Sequence, residues 1–178
     1  MNLTAEQKYQ LLLEIAQKTR DTLDLDEIMN HLLDTIRPVV DYDAAGVFVL
    51  NKDFNTDNHL PSKNVIEGVC WRGYHPMPDS GKDEMLTQGK GISGHVIFSG
   101  SSLIIPDVRE DDRYIEGRKE TLSEIAVPIL RDGQPIGALN LESDPLDAFD
   151  QSHLEVLQFF ADAASVALEK AILLRQLL

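Results

Sequence analysis

GKGISGHVIFSGSSLIIPDV, from Gly89 to Val108, is the stretch that decides the fold of this chain. Its glycines, Gly89, Gly91 and Gly94, surround the small hydroxyl residue Ser93. Glycine permits backbone conformations and close approaches that a Cβ atom forbids. An apolar run, a Gly-Ser break and Leu-Ile-Ile before Pro-Asp complete the stretch. This pattern predicts a tight loop that opens a short helix, then a turn and a short strand. The N–H groups that begin such a helix suit a polar ligand.

Two known motifs resemble part of this stretch, and neither has the context it requires. Residues 89–94 satisfy the dinucleotide pattern G-x-G-x-x-G, but the preceding DEMLTQ, residues 83–88, is not a buried parallel strand. Gly94 directly follows Ser93, so the serine does not lie in the esterase motif G-x-S-x-G. The glycines are therefore interpreted as shaping a turn and a helix start.

Composition excludes several classes of partner. The chain has 178 residues, a net charge of −14 and one cysteine, Cys70. This length predicts one domain, and one cysteine cannot form an internal disulfide. The acidic charge argues against nucleic acid and anionic membrane surfaces, which need Lys and Arg. We find no membrane span and no signal-peptide core, so the predicted location is the cytoplasm.

Apolar residues at helical spacing predict helices at both ends of the chain. A first helix is expected over residues 4–22 and a second over 25–40, with Pro38 in its end region. The last helix is predicted from Asp150 to Leu178, and its apolar residues form a coiled-coil-like seam that predicts a homodimer interface. The alternative is packing against the first helix alone. A seam that reaches the last residue also favours a downstream output domain. The seam consists of Leu154, Leu157, Ala161, Ala164, Leu168, Ala171, Arg175 and Leu178.

Strands are predicted in the middle of the chain. Residues 44–50 and 65–72 have the composition of buried strands. A hairpin is predicted from residues 124–130 and 135–141, because Asp-Gly suits the positive φ angles of a tight turn. Residues 109–118 predict a short helix or turn, and residues 51–64 and 73–91 predict loops. Strands grouped between helices indicate an α+β fold with helices packed on one sheet face.

Three segments together resemble a GAF domain, and the resemblance extends over about residues 25–178. The segments are GKGISGHVIFSGSSLIIPDV, AVPILRDGQPIGALNLES and AFDQSHLEVLQFFADAASVALEKA. The resemblance implies a central antiparallel sheet with terminal helices packed on one face, and with short helices and loops that form a pocket on the other. One domain is then expected over residues 1–178. It comprises an N-terminal helix (1–24), a sheet and pocket segment (25–149) and a C-terminal signalling or dimerisation helix (150–178).

Members of this family bind cyclic nucleotides, bilins, haem, amino acids or other small molecules. The cyclic-nucleotide members carry an N-K…F-x-x-x-D-E pattern; here Phe149 matches, but His153 and Leu154 replace the Asp-Glu pair. Bilin attachment is unsupported, because the predicted short helices carry no cysteine. The ligand and any cofactor are therefore not identified.

A few small single-domain members reduce free methionine sulfoxide, and this activity is the enzymatic alternative. Those relatives rely on several cysteines in the loop before the G-I-S-G-like segment, and this chain has none between Trp71 and Gly94. Cys70 is either a nucleophile, an attachment point or, more typically for a lone cysteine in an apolar strand, a packing residue. The histidines lack metal-ligand spacing. We therefore predict no metal site, no catalytic residue and no enzyme activity.

The position of each segment predicts the residues of the pocket. The expected function is a small-molecule-sensing regulatory domain, in which ligand binding is coupled to a helical dimer interface. The alternatives are a free-methionine-sulfoxide-reductase-like enzyme and a ligand-free dimerisation module. The predicted pocket residues are Cys70, Trp71, Ile92, Ser93, Tyr114, Ile115, Ser123 and Asn140.

Overall fold

A computed structural model describes residues 3–18, 20, 22, 24–50, 66–74 and 89–176. Within these residues the chain forms four α-helices, five strands and one 3-10 turn. The loop predicted at 51–64 and most of the loop at 73–91 lie outside the described residues. In chain order the elements are α1 (Ala5–Lys18), α2 (Leu25–Ile36), β1 (Ala44–Leu50), β2 (Ile66–Arg72), α3 (Gly91–Ser99), β3 (Leu103–Ile105), the 3-10 turn (Val108–Glu110), β4 (Ser123–Arg131), β5 (Gln134–Ser143) and α4 (Gln151–Gln176).

The five strands form one antiparallel sheet in the order β2-β1-β5-β4-β3. The predicted hairpin is present as β4 and β5, and its turn residues Asp132 and Gly133 have φ angles of 51° and 74°. Both angles are positive, as a tight hairpin turn of this type requires. The predicted α+β class, with strands between terminal helices, is confirmed.

Pro128 lies where β4 has no neighbouring strand on its outer side among the described residues. β3 pairs with β4 only as far as Ala126. Beyond that point α4 supplies the hydrogen bonds, because Gln158 Nε2 donates to the Pro128 carbonyl at 3.3 Å and Ser165 Oγ donates to the Leu130 carbonyl at 2.5 Å. A proline without an N–H group is compatible with this position.

The larger core lies between the sheet and the terminal helices. α4 contributes Leu157 and Phe160, both fully buried, and α2 contributes Leu33. Val127 and Leu139 of the hairpin meet them from the sheet. The prediction that the terminal helices pack on one face of the sheet is confirmed.

A smaller core lies on the opposite face, under α3. It includes Phe48 of β1, Ala138 of β5, and Ile92 and Val96 of α3. A side chain at Gly94 would place its Cβ 2.9 Å from the backbone of Gly89, so the loop and the helix can pack this closely only with glycine there. The glycine-rich stretch therefore holds α3 against the sheet.

Two helix ends differ from their predicted positions. α2 ends at Ile36 instead of residue 40, because Pro38 has no N–H group to continue the helix. The N–H groups of Val39 and Val40 instead both bond the Ile36 carbonyl. α1 ends at Lys18 instead of residue 22. In the described part of the chain, no helix is both long enough and apolar enough to cross a membrane.

Replacing Leu157 with alanine should strongly destabilise the fold. Leu157 is fully buried in the larger core, and truncation of a buried leucine costs about 2–5 kcal/mol. Urea unfolding followed by circular dichroism measures the loss. The control is Glu155→Ala, an exposed site on the same helix, where we expect a change within about 0.5 kcal/mol. Equal effects at the two sites would contradict this assignment of the core.

Candidate functional site

The hairpin strands place polar side chains on the face of the sheet that α3 covers. Successive residues of a strand point to opposite faces. Ile125 and Val127 therefore join the larger core, while Glu124 points into a pocket below α3. Asn140 and Glu142 of β5 line the same pocket. Three polar side chains thus form one wall of an otherwise apolar site.

Glu124 and Glu142 face each other directly across the hairpin, and we call them the acid pair. Their exposed fractions are 3% and 4%. Asn140 Nδ2 donates to Glu124 Oε1 at 2.9 Å. Glu142 accepts hydrogen bonds from Thr121 Oγ1 and from the Tyr74 hydroxyl, both at 2.6 Å. Like charges directly opposite each other in a sheet are destabilising, so full ionisation of the acid pair costs free energy.

Burial changes the protonation of these groups. It raises the pKa of Glu124 well above its usual range, and the charge of Glu142 raises it further. Burial also raises the pKa of Glu142, while hydrogen bonds from Thr121 and Tyr74 and the charge of Arg118 oppose that rise. The pKa of Tyr74 is well above its usual value because of burial and the two carboxyl groups. The site therefore favours the neutral forms of Glu124 and Tyr74 most strongly.

Aromatic side chains form the apolar part of the pocket. Trp71 packs edge-on against Phe48, with ring centroids 5.7 Å apart and planes at 81°. Trp71 is 40% exposed and lies at the rim. A Cβ atom at Gly46 would lie 2.7 Å from both Phe48 and Asn140 Oδ1, so this part of the wall has room only for glycine.

The start of α3 forms the side of the pocket that carries positive charge. Lys90 is the N-cap residue and makes no side-chain capping hydrogen bond. Gly91, Ile92 and Ser93 line the pocket with it. The first N–H groups of a helix have no partner within the helix and carry a partial positive charge. The pocket therefore combines an acidic wall with a positive helix start.

The segment after the 3-10 turn covers the pocket with Tyr114 and Ile115. The Tyr114 hydroxyl donates to the Arg118 carbonyl at 3.5 Å, and the Arg118 guanidinium pairs with Asp144 beyond β5. The cavity beneath has a volume of about 50 Å³, whereas ligand sites commonly have about 300–1,000 Å³. An amino-acid-sized ligand therefore requires the pocket to widen.

Two buried polar atoms of the pocket have no hydrogen-bond partner among the described residues, Ser93 Oγ and Asn140 Oδ1. A buried polar group left unpaired costs about 1–3 kcal/mol. Both residues line the cavity. A polar ligand would satisfy atoms that the described part of the chain leaves unpaired.

Most of the residues predicted for the pocket lie in it. Cys70 does not, because it packs in the larger core, on the opposite face of the sheet from its neighbour Trp71. Ser123 does not line the cavity either, and its hydroxyl donates to the Pro145 carbonyl at 2.7 Å. Both placements correct the prediction, which assigned residues of both strand faces to one pocket. The predicted residues that line it are Trp71, Ile92, Ser93, Tyr114, Ile115 and Asn140.

Sequence reasoning missed the acid pair, although a signal for it was present. Glu124 and Glu142 are charged residues within apolar strands, and Glu142 lies two positions after Asn140. The two-residue period of a strand therefore places Glu142 beside Asn140. Phe48, Tyr74 and Lys90 were also missed, since they belong to segments that meet the pocket only in the folded chain.

Comparison with known proteins identifies the family. The GAF domain model matches residues 22–169. The chain belongs to the GAF domain family. GAF domain-containing protein A of Dictyostelium discoideum is 33% identical over 66 residues, which are 37% of this chain and 42% of that protein. The match thus spans less than half of that relative.

A second relative is matched over most of its length. Free methionine-R-sulfoxide reductase of Saccharomyces cerevisiae is 33% identical over 153 residues, or 78% of this chain and 84% of that protein. The prediction that the chain is not an enzyme is therefore wrong, because a GAF relative of matching size and clear sequence identity is an enzyme. The lack of cysteines between Trp71 and Gly94 therefore does not exclude this class of enzyme.

Solved structures share the fold. The free methionine-R-sulfoxide reductase of Neisseria meningitidis, solved with its substrate, has a TM-score of 0.73 at 19% identity, covering 100% of this chain and 96% of that one. A GAF protein from Burkholderia vietnamiensis that is proposed to be a sensor has a TM-score of 0.66 at 17% identity, covering 93% of this chain and 98% of that one. At these identities the likeness extends to the fold alone.

Glu124→Gln should reduce the pH dependence of folding stability. With its raised pKa, Glu124 keeps a proton that the unfolded chain has released, so the free energy of unfolding falls as the pH rises above the ordinary carboxyl range. One such proton contributes about 1.4 kcal/mol per pH unit. Urea unfolding between pH 5 and 8 measures this slope. The control Glu116→Gln, at an exposed site, should keep the wild-type slope; an unchanged slope in Glu124→Gln would contradict the assignment.

Proposed function

We propose that this chain is an enzyme that binds free methionine sulfoxide in the pocket below α3 and reduces it. The observation that carries the proposal is the placement of the acid pair opposite the start of α3. A free amino acid at neutral pH carries an ammonium group and a carboxylate. The acid pair suits the ammonium group, and the first N–H groups of α3 with Lys90 suit the carboxylate.

The aromatic rim suits the rest of this ligand. Phe48, Trp71 and Tyr114 present apolar surface with polar groups nearby. A methionine sulfoxide side chain is apolar along its methylene groups and polar at the sulfoxide oxygen. Sulfur groups pack favourably against aromatic rings. The similarity to the yeast reductase, which spans 84% of that protein, supports the same choice of substrate.

The reducing thiols have to come from another molecule. Cys70 is the one cysteine of the chain, and it is buried on the far face of the sheet. Burial also raises the pKa of its thiol, which lowers its reactivity. We therefore propose an external dithiol such as thioredoxin as the reductant. The dithiol loses two electrons and becomes a disulfide, the sulfoxide becomes a thioether, and the oxygen leaves as water with two protons. Such dithiols are kept reduced in the cytoplasm, the location that the sequence predicts.

The decisive experiment measures binding and turnover with the full chain. Isothermal titration calorimetry with the R and S epimers of methionine sulfoxide should detect binding, and mass spectrometry should detect methionine formed with dithiothreitol or with thioredoxin and its NADPH-dependent reductase. Cys70→Ser should retain turnover, because Cys70 is remote from the pocket. Trp71→Ala should weaken binding. Absence of methionine formation with both reductants would overturn the enzymatic proposal.

Ser93→Cys should raise the rate of reduction. Ser93 lines the cavity and its hydroxyl has no partner among the described residues, so a thiol of similar size would point at the bound ligand. A thiolate held there would attack the sulfoxide sulfur and form a sulfenic acid, which the dithiol then reduces. Holding the nucleophile in place should raise kcat by about tenfold or more. Ser93→Ala is the matched control and should bring no gain, and equal rates in the two variants would contradict this position of the ligand.

A second candidate function is ligand-controlled regulation. It is favoured by the small volume of the empty pocket, which a ligand would have to widen, and by the shared fold with a GAF protein that is proposed to be a sensor. Hydrogen exchange with and without methionine sulfoxide tests this function. A change in amide protection that reaches α4 would support regulation. Changes confined to the covering segment, residues 111–120, would contradict it.

We also propose that the terminal helices form a homodimer, as the sequence predicts. α1 exposes Tyr9, Leu12 and Leu13 on one face, with 60%, 42% and 37% of their surfaces accessible. Val166 of α4 is 69% exposed, and together with Leu12 it lines a groove between α1 and α4. Burial of these side chains against a second copy would remove apolar surface from water.

Analytical ultracentrifugation tests the dimer. Leu13→Glu should weaken self-association at least about tenfold, since it places a charge on an apolar contact. Gln7→Glu adds the same charge on the opposite side of α1, where a glutamate can still accept the hydrogen bond from the Thr4 N–H group, and serves as the control. A wild-type chain that stays monomeric at high concentration would overturn the proposal.

A further inference from the structure

The two members of the acid pair are buried opposite each other, an arrangement that the reduction of a sulfoxide does not by itself require. Two carboxyl groups occupy opposite positions on adjacent strands, and both are at least nine-tenths buried. We propose that the acid pair shares one proton when the pocket is empty, and that it releases this proton when a ligand with a primary ammonium group binds. The ligand class rests on the proposed function; the shared proton does not.

The hydrogen bonds of the acid pair indicate which carboxyl holds the proton. Both oxygens of Glu142 accept hydrogen bonds from hydroxyl groups, of Tyr74 and Thr121, and such bonds stabilise a carboxylate. Among the described residues, Glu124 receives one hydrogen bond, from Asn140. Glu124 is therefore the member that is neutral in the empty site. Its proton is also the one most easily lost once a cation compensates the second negative charge.

The donors and acceptors of this wall favour an ammonium group. Asn140 donates its amide N–H groups to Glu124 and to the Tyr74 hydroxyl, at 2.9 and 3.3 Å. Its Oδ1 has no partner among the described residues and is buried. The wall therefore offers acceptor oxygens from Asn140 and from both members of the acid pair. An ammonium group has three donors and no acceptor, which matches this set.

Among the described residues, the other charged and titratable groups near the acid pair do not remove the repulsion. Tyr74 and Tyr114 are neutral, because burial raises the pKa of each. Asp111 adds negative charge near Glu124. Arg118 acts on Glu142, but its guanidinium is paired with Asp144 and lies near Glu120. Lys90 lies on the opposite side of the pocket, at the start of α3.

Proton release links affinity to pH. If one proton leaves on binding, the dissociation constant falls by up to about tenfold for each unit of pH increase, while the empty pocket still holds the proton. A desamino analogue, in which hydrogen replaces the ammonium group, should release no proton. The direction of the pH effect thus distinguishes a shared proton from a permanently ionised pair of carboxylates. Such a pair would bind the ammonium group equally well across this range of pH.

The first arm of the experiment uses the empty protein and needs no ligand. Infrared spectroscopy at pH 7 should show the C=O band of one buried, protonated carboxyl group in the wild type. This band should be lost in Glu124→Gln and retained in the control Glu116→Gln. Circular dichroism verifies that the variants fold. If Glu124→Gln does not fold, Glu124→Asp takes its place; this variant keeps a carboxyl group and should retain the band of a protonated carboxyl. Absence of the band from the folded wild type would overturn the inference.

The second arm is calorimetry with methionine sulfoxide and its desamino analogue in two buffers of different ionisation enthalpy. Methionine sulfoxide should release about one proton from the wild type, and none from Glu124→Gln. Binding without proton release would overturn the inference and leave the proposed function standing. If the infrared band is present but methionine sulfoxide does not bind, the proposed substrate is wrong and the shared proton stands.

Discussion

The burial of two carboxyl groups opposite each other in one hairpin is the constraint on which the site depends. Glu124 and Glu142 are held in register by the longest strand pair of the sheet. Hydrogen bonds from Asn140, Tyr74 and Thr121 surround them. Such a pair is costly when both carboxyl groups are ionised. In the proposed function the ammonium group of the ligand would offset this cost, because it compensates the second negative charge.

The two faces of the same hairpin serve different purposes. One face carries Ile125, Val127 and Leu139 into the core beneath the terminal helices. The other carries the acid pair and Asn140 into the pocket. The apolar face makes the strands rigid, so the polar face is presented in a fixed arrangement. The covering segment with Tyr114 and Ile115 is built differently, as a turn and loop, which suits it to movement.

The fold could be predicted from sequence because its signals are local. Asp132 and Gly133 define the hairpin turn, and Pro38 ends α2 close to where the pattern indicated. The pocket was harder, because it depends on which face each strand residue occupies. Cys70 and Trp71 are neighbours in sequence and lie on opposite sides of the sheet. Tyr74 reaches Glu142 across 68 positions of sequence, a contact that no local pattern indicates.

The outer edge of β4 beyond Ala126, which has no strand partner among the described residues, has a consequence for the behaviour of the chain at high concentration. An unpaired strand edge invites pairing with the strands of other molecules, and this is a common start of aggregation. Here Pro128 offers no N–H group at the edge, and Gln158 and Ser165 of α4 occupy the carbonyl groups of Pro128 and Leu130. Pro128 therefore offers a foreign strand no donor, and the carbonyl groups of Pro128 and Leu130 are not free to accept. α4, which covers the larger core, thus also hinders the strands of other molecules from pairing with this edge of the sheet.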